Sequence, residues 1–89
     1  MINLKFNGMG IYNISSFRKY LESEGYVTVR VKIGTEQINY YAYKDNKLFS
    51  FGVYWSSGAE MFEYNISSLR DEFKQPIIKA FSKKGINLQ

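Results

Sequence analysis

The sequence predicts an α+β fold, in which three to four antiparallel strands form a meander sheet and two helices pack on one face of that sheet. Two observations predict this class. Nearly the same seven residues, Tyr12–Arg18 and Tyr64–Arg70, introduce two segments with helical periodicity, and the residues between those segments alternate between apolar and polar. A chain of 89 residues, of which 45% are hydrophobic, is expected to form one domain, residues 1–89, around a thin core.

The repeated segment is interpreted as the entrance to a helix. Asn13 and Asn65 are favourable N-caps, and a cap at either position places a tyrosine before the cap and an apolar residue at the fourth helical position. That pair of residues forms a hydrophobic staple, which fixes how the chain enters the helix. The first helix is predicted to end near Glu24, because Gly25 can adopt the left-handed conformation that commonly follows a helix.

The second helix is predicted to extend to about Lys84, with apolar residues along one face. Pro76 lies inside this segment. Proline removes one backbone hydrogen bond and crowds the preceding turn, so we expect a kink, or a division into two shorter helices that meet near Gln75.

Alternation with a period of two predicts three strands, over Val27–Ile33, Ile38–Lys44 and Leu48–Trp55. Asp45 and Asn46 are typical of a two-residue hairpin turn. Residues 34–37 predict a four-residue loop, which would place Ile33 opposite Ile38 and put the apolar side chains of both hairpins on one face. The helices are expected to cover that apolar face.

The two ends of the predicted sheet are less regular. Ile2, Leu4 and Phe6 alternate and indicate a fourth strand at one edge. Residues 56–59 are expected to form a loop after the third strand, and Glu60 and Glu63 are expected to follow in the same loop.

The predicted register leaves the second face of the sheet with aromatic and basic side chains. The candidate partner-binding residues on this face are Arg30, Lys32, Tyr41, Tyr43 and Tyr54. Tyrosine and arginine are enriched at the centres of protein interfaces, and rings beside cations also suit stacking on nucleic-acid bases. The alternatives are that the tyrosines reflect strand propensity, or that the edge strand or a homodimer partner covers the face.

The composition argues against an enzyme. The chain contains no histidine and no cysteine, so the commonest general base at neutral pH and the thiolate nucleophile are both missing. The carboxylates are scattered and suggest no metal-ligand spacing. We therefore expect no catalytic residue, no metal site and no cofactor, and a function in binding.

The expected partner is a host protein or a protein–nucleic acid complex. A net charge of +4 mildly favours an acidic surface or nucleic acid. The absence of a signal sequence and of a long apolar stretch predicts a cytoplasmic protein that does not bind membranes. Richness in Lys, Asn, Ile and Tyr is typical of AT-rich coding sequences, and it suggests a phage or mobile-element protein.

The predicted order of elements resembles that of double-stranded RNA-binding domains, but the second helix carries Asp71 and Glu72 near its start where those domains carry lysines. Acidic residues there repel phosphate. The same order also resembles that of small phage-encoded inhibitors, such as some anti-CRISPR proteins. We therefore expect an inhibitor that acts by protein–protein binding, with direct binding of single-stranded RNA or DNA to the tyrosine face as the alternative.

Overall fold

The computed structural model of the protein describes residues 3–5, 11, 13–56 and 58–88. Its regular elements, in chain order, are β1 (Asn3–Lys5), α1 (Ile14–Ser23), β2 (Val27–Ile33), β3 (Gln37–Lys44), β4 (Lys47–Tyr54), β5 (Gly58–Glu63) and α2 (Asp71–Ser82). A short 3₁₀ turn, Ile66–Ser68, precedes α2.

The strands form one antiparallel sheet in the order β1-β5-β4-β3-β2. Strands β2 to β5 follow one another as a meander, which confirms the predicted α+β class, and β1 lies at one edge beside β5. The predicted edge strand is present over Asn3–Lys5, while Ile2 and Phe6 lie outside the described residues. The prediction of a loop around Glu60 and Glu63 was wrong, because Gly58–Glu63 forms β5.

The two helices cover opposite faces of the sheet, so the prediction that both pack on one face was wrong. On one face, Phe17 and Leu21 of α1 pack with a group of strand residues: Ala42, Phe49, Phe51, Ala59 and Met61. On the other face, Ile77 and Phe81 of α2 pack with a second group: Val29, Val31, Ile33, Tyr41 and Leu48. The sheet therefore has a hydrophobic cluster on each side. We call the side that α1 covers the α1 face and the side that α2 covers the α2 face.

The register of the first hairpin explains this error. Ile33 pairs with Gln37 rather than with Ile38, so the connecting loop has three residues instead of four. Because side chains alternate across a strand, a shift of one residue transfers every side chain of β2 to the other face relative to β3. Val29 therefore shares a face with Tyr41, and Arg30 shares a face with Tyr40.

The second hairpin has the predicted register. Ala42 pairs with Phe49 and Tyr40 pairs with Phe51. Asp45 and Asn46 form the two-residue turn with positive φ values of 52° and 63°. Both residues must be left-handed in a type I′ turn, which Asn and Asp tolerate better than most other residues.

The entrance and exit of α1 agree with the sequence. The side chain of Asn13 accepts a hydrogen bond of 2.9 Å from the backbone N–H of Ser16, which satisfies one free donor of the first turn. After the helix, Gly25 has a φ of +96° in the left-handed region that favours glycine. Tyr12, the other half of the predicted staple, lies outside the described residues.

The second copy of the repeated segment does not start the long helix. Asn65 accepts a hydrogen bond of 3.0 Å from the backbone N–H of Ser67, but this cap serves only the 3₁₀ turn. The chain then becomes extended at Leu69 and Arg70 before α2 begins at Asp71. The predicted division of the helix near Gln75 was wrong, because α2 continues through Pro76 to Ser82.

Candidate functional site

The five residues predicted to share an open surface are divided between the two faces. Tyr41, Tyr43 and Tyr54 lie on the α2 face, whereas Arg30 and Lys32 are exposed on the α1 face. The expectation of one continuous tyrosine and basic surface was therefore wrong, and the cause is the register of the first hairpin. A role for any of the five in contacting a partner stays a prediction.

Packing on the α2 face buries Tyr41 and partly covers Tyr43. Tyr41 is only 1% exposed, and its ring centre lies 5.3 Å from that of Tyr64. Tyr43 is half-buried, with its ring centre 6.0 Å from that of Phe81 in α2. The Tyr41 ring is therefore closed to stacking by a base or a partner side chain, and the Tyr43 ring is partly covered.

A cleft opens where the sheet divides at one end. The pairing of β3 with β4 stops at Tyr40 and Phe51, although both strands continue past this pair. The last residues of β4 pair only with β5, and the first residues of β3 pair only with β2. The resulting cleft has a volume of about 350 Å³. Its walls include Ile38, Asn39 and Tyr40 from β3, and Gly52, Val53 and Tyr54 from β4.

The described residues that line the cleft carry no charge, but they include hydroxyl and amide groups. The Nδ2 of Asn39 donates a hydrogen bond of 3.0 Å to the hydroxyl of Tyr41. Burial raises the pKa of Tyr41 to about 12; the bond from Asn39 opposes this shift and the neighbouring Tyr64 adds to it. The Tyr41 phenol is therefore neutral at physiological pH and available only as a hydrogen-bonding group.

Three large apolar side chains are exposed in the cleft or directly after the strand that forms its wall, and we call them the aromatic rim: Ile38, Tyr54 and Trp55. Within the described part of the chain, these are the only large hydrophobic side chains that are exposed. Trp55 is fully exposed, Tyr54 is 45% exposed and Ile38 is 41% exposed. A second hollow beside the rim is lined by Tyr54 and Trp55 together with Ile11, Val53 and Gly58.

Sequence reasoning identified Tyr54 but gave no role to Trp55 or Ile38. Trp55 was assigned to the end of a strand, and Ile38 was expected to be covered. Trp55 is the single tryptophan of the chain and is followed directly by serines, a composition more typical of a turn than of a core strand. That signal indicates an exposed aromatic residue at Trp55, but it gives no indication that Ile38 is exposed.

The α1 face carries a separate group of cations. Arg18 is held in place, because its Nε donates a hydrogen bond of 3.2 Å to Thr28, whose hydroxyl donates one of 2.7 Å to Glu22. The guanidinium of Arg18 also lies 6.0 Å from the ring centre of Tyr40. Tyr40 is the strand partner of Arg30, so this ring has an arginine neighbour on the helix and another on the sheet.

Two further features of the described residues bear on the range of functions. No group of three or more acidic side chains that could hold a metal ion occurs within residues 3–5, 11, 13–56 and 58–88. Neither α1 nor α2, the helices in that part of the chain, has the length and apolar character needed to cross a membrane.

Comparisons with protein-family models, with curated proteins and with solved structures found no match for the chain. Any functional assignment therefore depends on the geometry of the surface itself.

Proposed function

We propose that this is a non-catalytic binding protein that recognises another protein through the aromatic rim and the cleft behind it. The observation that carries the proposal is the position of the exposed apolar side chains. Ile38 and Tyr54 line the cleft, and Tyr54 and Trp55 line a second hollow that shares Val53 and Tyr54 with it, so the three side chains lie at one end of the sheet.

Exposed apolar side chains gathered at one place favour an interface over chance exposure. A fully exposed tryptophan leaves a large apolar area in water, and burying that area against a partner is favourable. Tryptophan and tyrosine are also the residue types most often found at the energetic centres of interfaces. The uncharged cleft gives a partner side chain a place to enter without burying an unpaired charge.

The more specific parts of the proposal rest on composition. The partner is a host protein or a host complex that handles nucleic acid, and the protein acts there as a phage-encoded or mobile-element inhibitor in the cytoplasm. The richness in Lys, Asn, Ile and Tyr and the net charge of +4 support this assignment. The element order supports it less than the sequence predicted, because the fold has an additional strand, β5, before α2.

Direct binding of single-stranded nucleic acid, the alternative expected from the sequence, has less support. Such binding uses rings that are open to stacking beside cations. Tyr41 is buried and Tyr43 packs against α2, while Arg30 lies on the opposite face. The aromatic rim has no arginine or lysine among the residues that line its cleft.

The test compares proteins captured from a host lysate by three immobilised forms: wild type, Trp55→Ala and Trp55→Phe. A specific partner is expected to bind wild type and Trp55→Phe, and to be lost with Trp55→Ala. Titration with the purified partner should show a loss of about 30-fold, which corresponds to the ~2 kcal/mol of an interface hot spot.

Lys47→Ala is the matched control, because this exposed residue lies at the other end of β4, about 25 Å from Trp55 along the strand. Equal capture by wild type and by Trp55→Ala would contradict the proposal. If the occupant of the rim is a second copy, sedimentation should show a concentration-dependent dimer in wild type that Trp55→Ala abolishes.

A further inference from the structure

β2 has no strand paired with its outer edge in the described part of the chain. β2 is the last strand of the sheet and pairs only with β3. No backbone hydrogen bond joins β2 to a described residue outside the sheet. In an edge strand every second residue directs its N–H and C=O groups away from the sheet, so these groups are available to another strand.

Both helices pack against β2, α2 along the whole of one face and α1 at one end of the other. On the α1 face, Thr28 is 1% exposed beneath the side chains of Arg18 and Glu22. Further along the strand on the same face, Arg30 and Lys32 are exposed. On the α1 face, β2 is therefore exposed in its second half, which leads into the turn to β3.

Two cations lie on this exposed part of β2, at a spacing that the side chains of an added strand can match. Arg30 and Lys32 are two residues apart on β2, so their side chains lie on the same face of the strand. Neither side chain forms an ion pair or a hydrogen bond with any residue in the described part of the chain. Side chains two apart on an added strand would lie directly across from them.

We propose that the edge of β2 binds an extended acidic segment of another protein by strand addition. The segment pairs its backbone with β2 and places two carboxylates, two residues apart, opposite Arg30 and Lys32. This contact extends the sheet by one strand on the side away from β1. It is a second docking surface that goes beyond the proposed function, and it adjoins the aromatic rim, because Lys32 is the strand partner of Ile38.

The charges argue against a second copy of this chain as the occupant. In an antiparallel pair of β2 with its own copy, a centre at Arg30 places the two arginines opposite each other. A centre at Val31 places Arg30 opposite Lys32. Like charges directly opposite each other are unfavourable in a sheet, whereas an acidic strand forms favourable pairs at both positions.

The experiment measures binding of labelled synthetic peptides as long as β2, seven residues, by fluorescence anisotropy at low salt. The peptides share a Val/Thr background and carry Glu-x-Glu, Gln-x-Gln or Lys-x-Lys at the centre. We expect the acidic peptide to bind about tenfold more tightly than the neutral peptide, and the basic peptide not to bind. An Arg30→Glu/Lys32→Glu variant should reverse this order.

Three controls separate strand addition at β2 from general electrostatic attraction between the protein and an acidic peptide. The Lys83→Glu/Lys84→Glu variant makes the same change of charge at exposed positions after α2, and it should keep the preference of wild type. An acidic peptide methylated at alternate backbone nitrogens keeps its charge but cannot pair as a strand, and it should not bind. An Arg30→Gln/Lys32→Gln variant, checked by thermal unfolding, removes the charges without reversing them and should abolish the preference.

Equal binding of the methylated and unmethylated acidic peptides would overturn strand addition. Loss of the preference in the Lys83→Glu/Lys84→Glu variant would overturn the assignment to β2. Tight, salt-dependent binding of oligothymidylate together with no binding of any peptide would assign the cations to nucleic acid instead.

Discussion

Replacing Tyr41 by phenylalanine should change how the stability of the protein depends on alkaline pH. The Tyr41 side chain is 1% exposed, and burial raises its pKa from 10.0 to about 12. The folded state therefore holds the phenolic proton more tightly than the unfolded state does. This contribution to stability is fully present below about pH 10 and is lost as the pH rises through 12.

The size of the effect follows from the two pKa values. A difference of about 2 in pKa corresponds to ~2.7 kcal/mol in full, of which ~1.4 kcal/mol is lost by about pH 11. Near pH 8 the variant should be less stable than wild type by ~0.5–1.5 kcal/mol, because it loses the hydrogen bond from Asn39 to the Tyr41 hydroxyl. Wild type loses its advantage as the pH rises, so the free energies of unfolding of wild type and Tyr41→Phe should converge by about pH 11.

The assay is urea unfolding of both proteins, followed by far-UV circular dichroism at several pH values between about 8 and 11. The other tyrosines and the lysines titrate in both proteins, so their effects cancel in the comparison. A parallel loss of stability in wild type and Tyr41→Phe would refute the reasoning, because it would show that Tyr41 titrates with the same pKa in the folded and unfolded states.

Three further substitutions test the local structure. Asn13→Ala should destabilise the protein by ~1 kcal/mol in urea unfolding, because it removes the cap of a full helix. Asn65→Ala should destabilise it less, because its cap serves one 3₁₀ turn. An equal or larger loss of stability in Asn65→Ala would contradict this account. Thr28→Val should cost ~1–3 kcal/mol, because the buried hydroxyl links Arg18 to Glu22. An unchanged denaturation midpoint for Thr28→Val would show that this link does not contribute.

The elements that the sequence predicted correctly are those with strong local signals. Asn13 and Gly25 mark the ends of α1 through their own backbone and side-chain preferences. Asp45 and Asn46 specify a tight turn because few residues other than glycine tolerate positive φ. These signals do not depend on which elements pack against the sheet, so the local sequence is sufficient to predict the ends of α1 and the tight turn.

The register of the first hairpin and the candidate site depend on tertiary packing, and the sequence did not determine them. Tyr40, Tyr41, Ala42 and Tyr43 give β3 an apolar or aromatic side chain on both faces. Either register therefore pairs apolar residues with the valines of β2. A sheet that is buried on both sides lacks the polar face that distinguishes one register from the other.

Strand β5 was missed for a related reason. Its acidic residues, Glu60 and Glu63, indicated a solvated loop, but Glu60 is buried on the α2 face, opposite Gly52 in the neighbouring strand. A charged residue inside a strand is unusual, and its position opposite a glycine is known only once the strands are paired.

The placement of one helix on each side of the sheet has a consequence for the order of folding. Helix α1 packs on the strands that follow it, whereas α2 joins β2 from the opposite end of the chain. Closing the longer loop costs more entropy and tends to be slow. We therefore expect α2 to dock late, and the nascent protein to expose the valines of β2 until α2 has been synthesised.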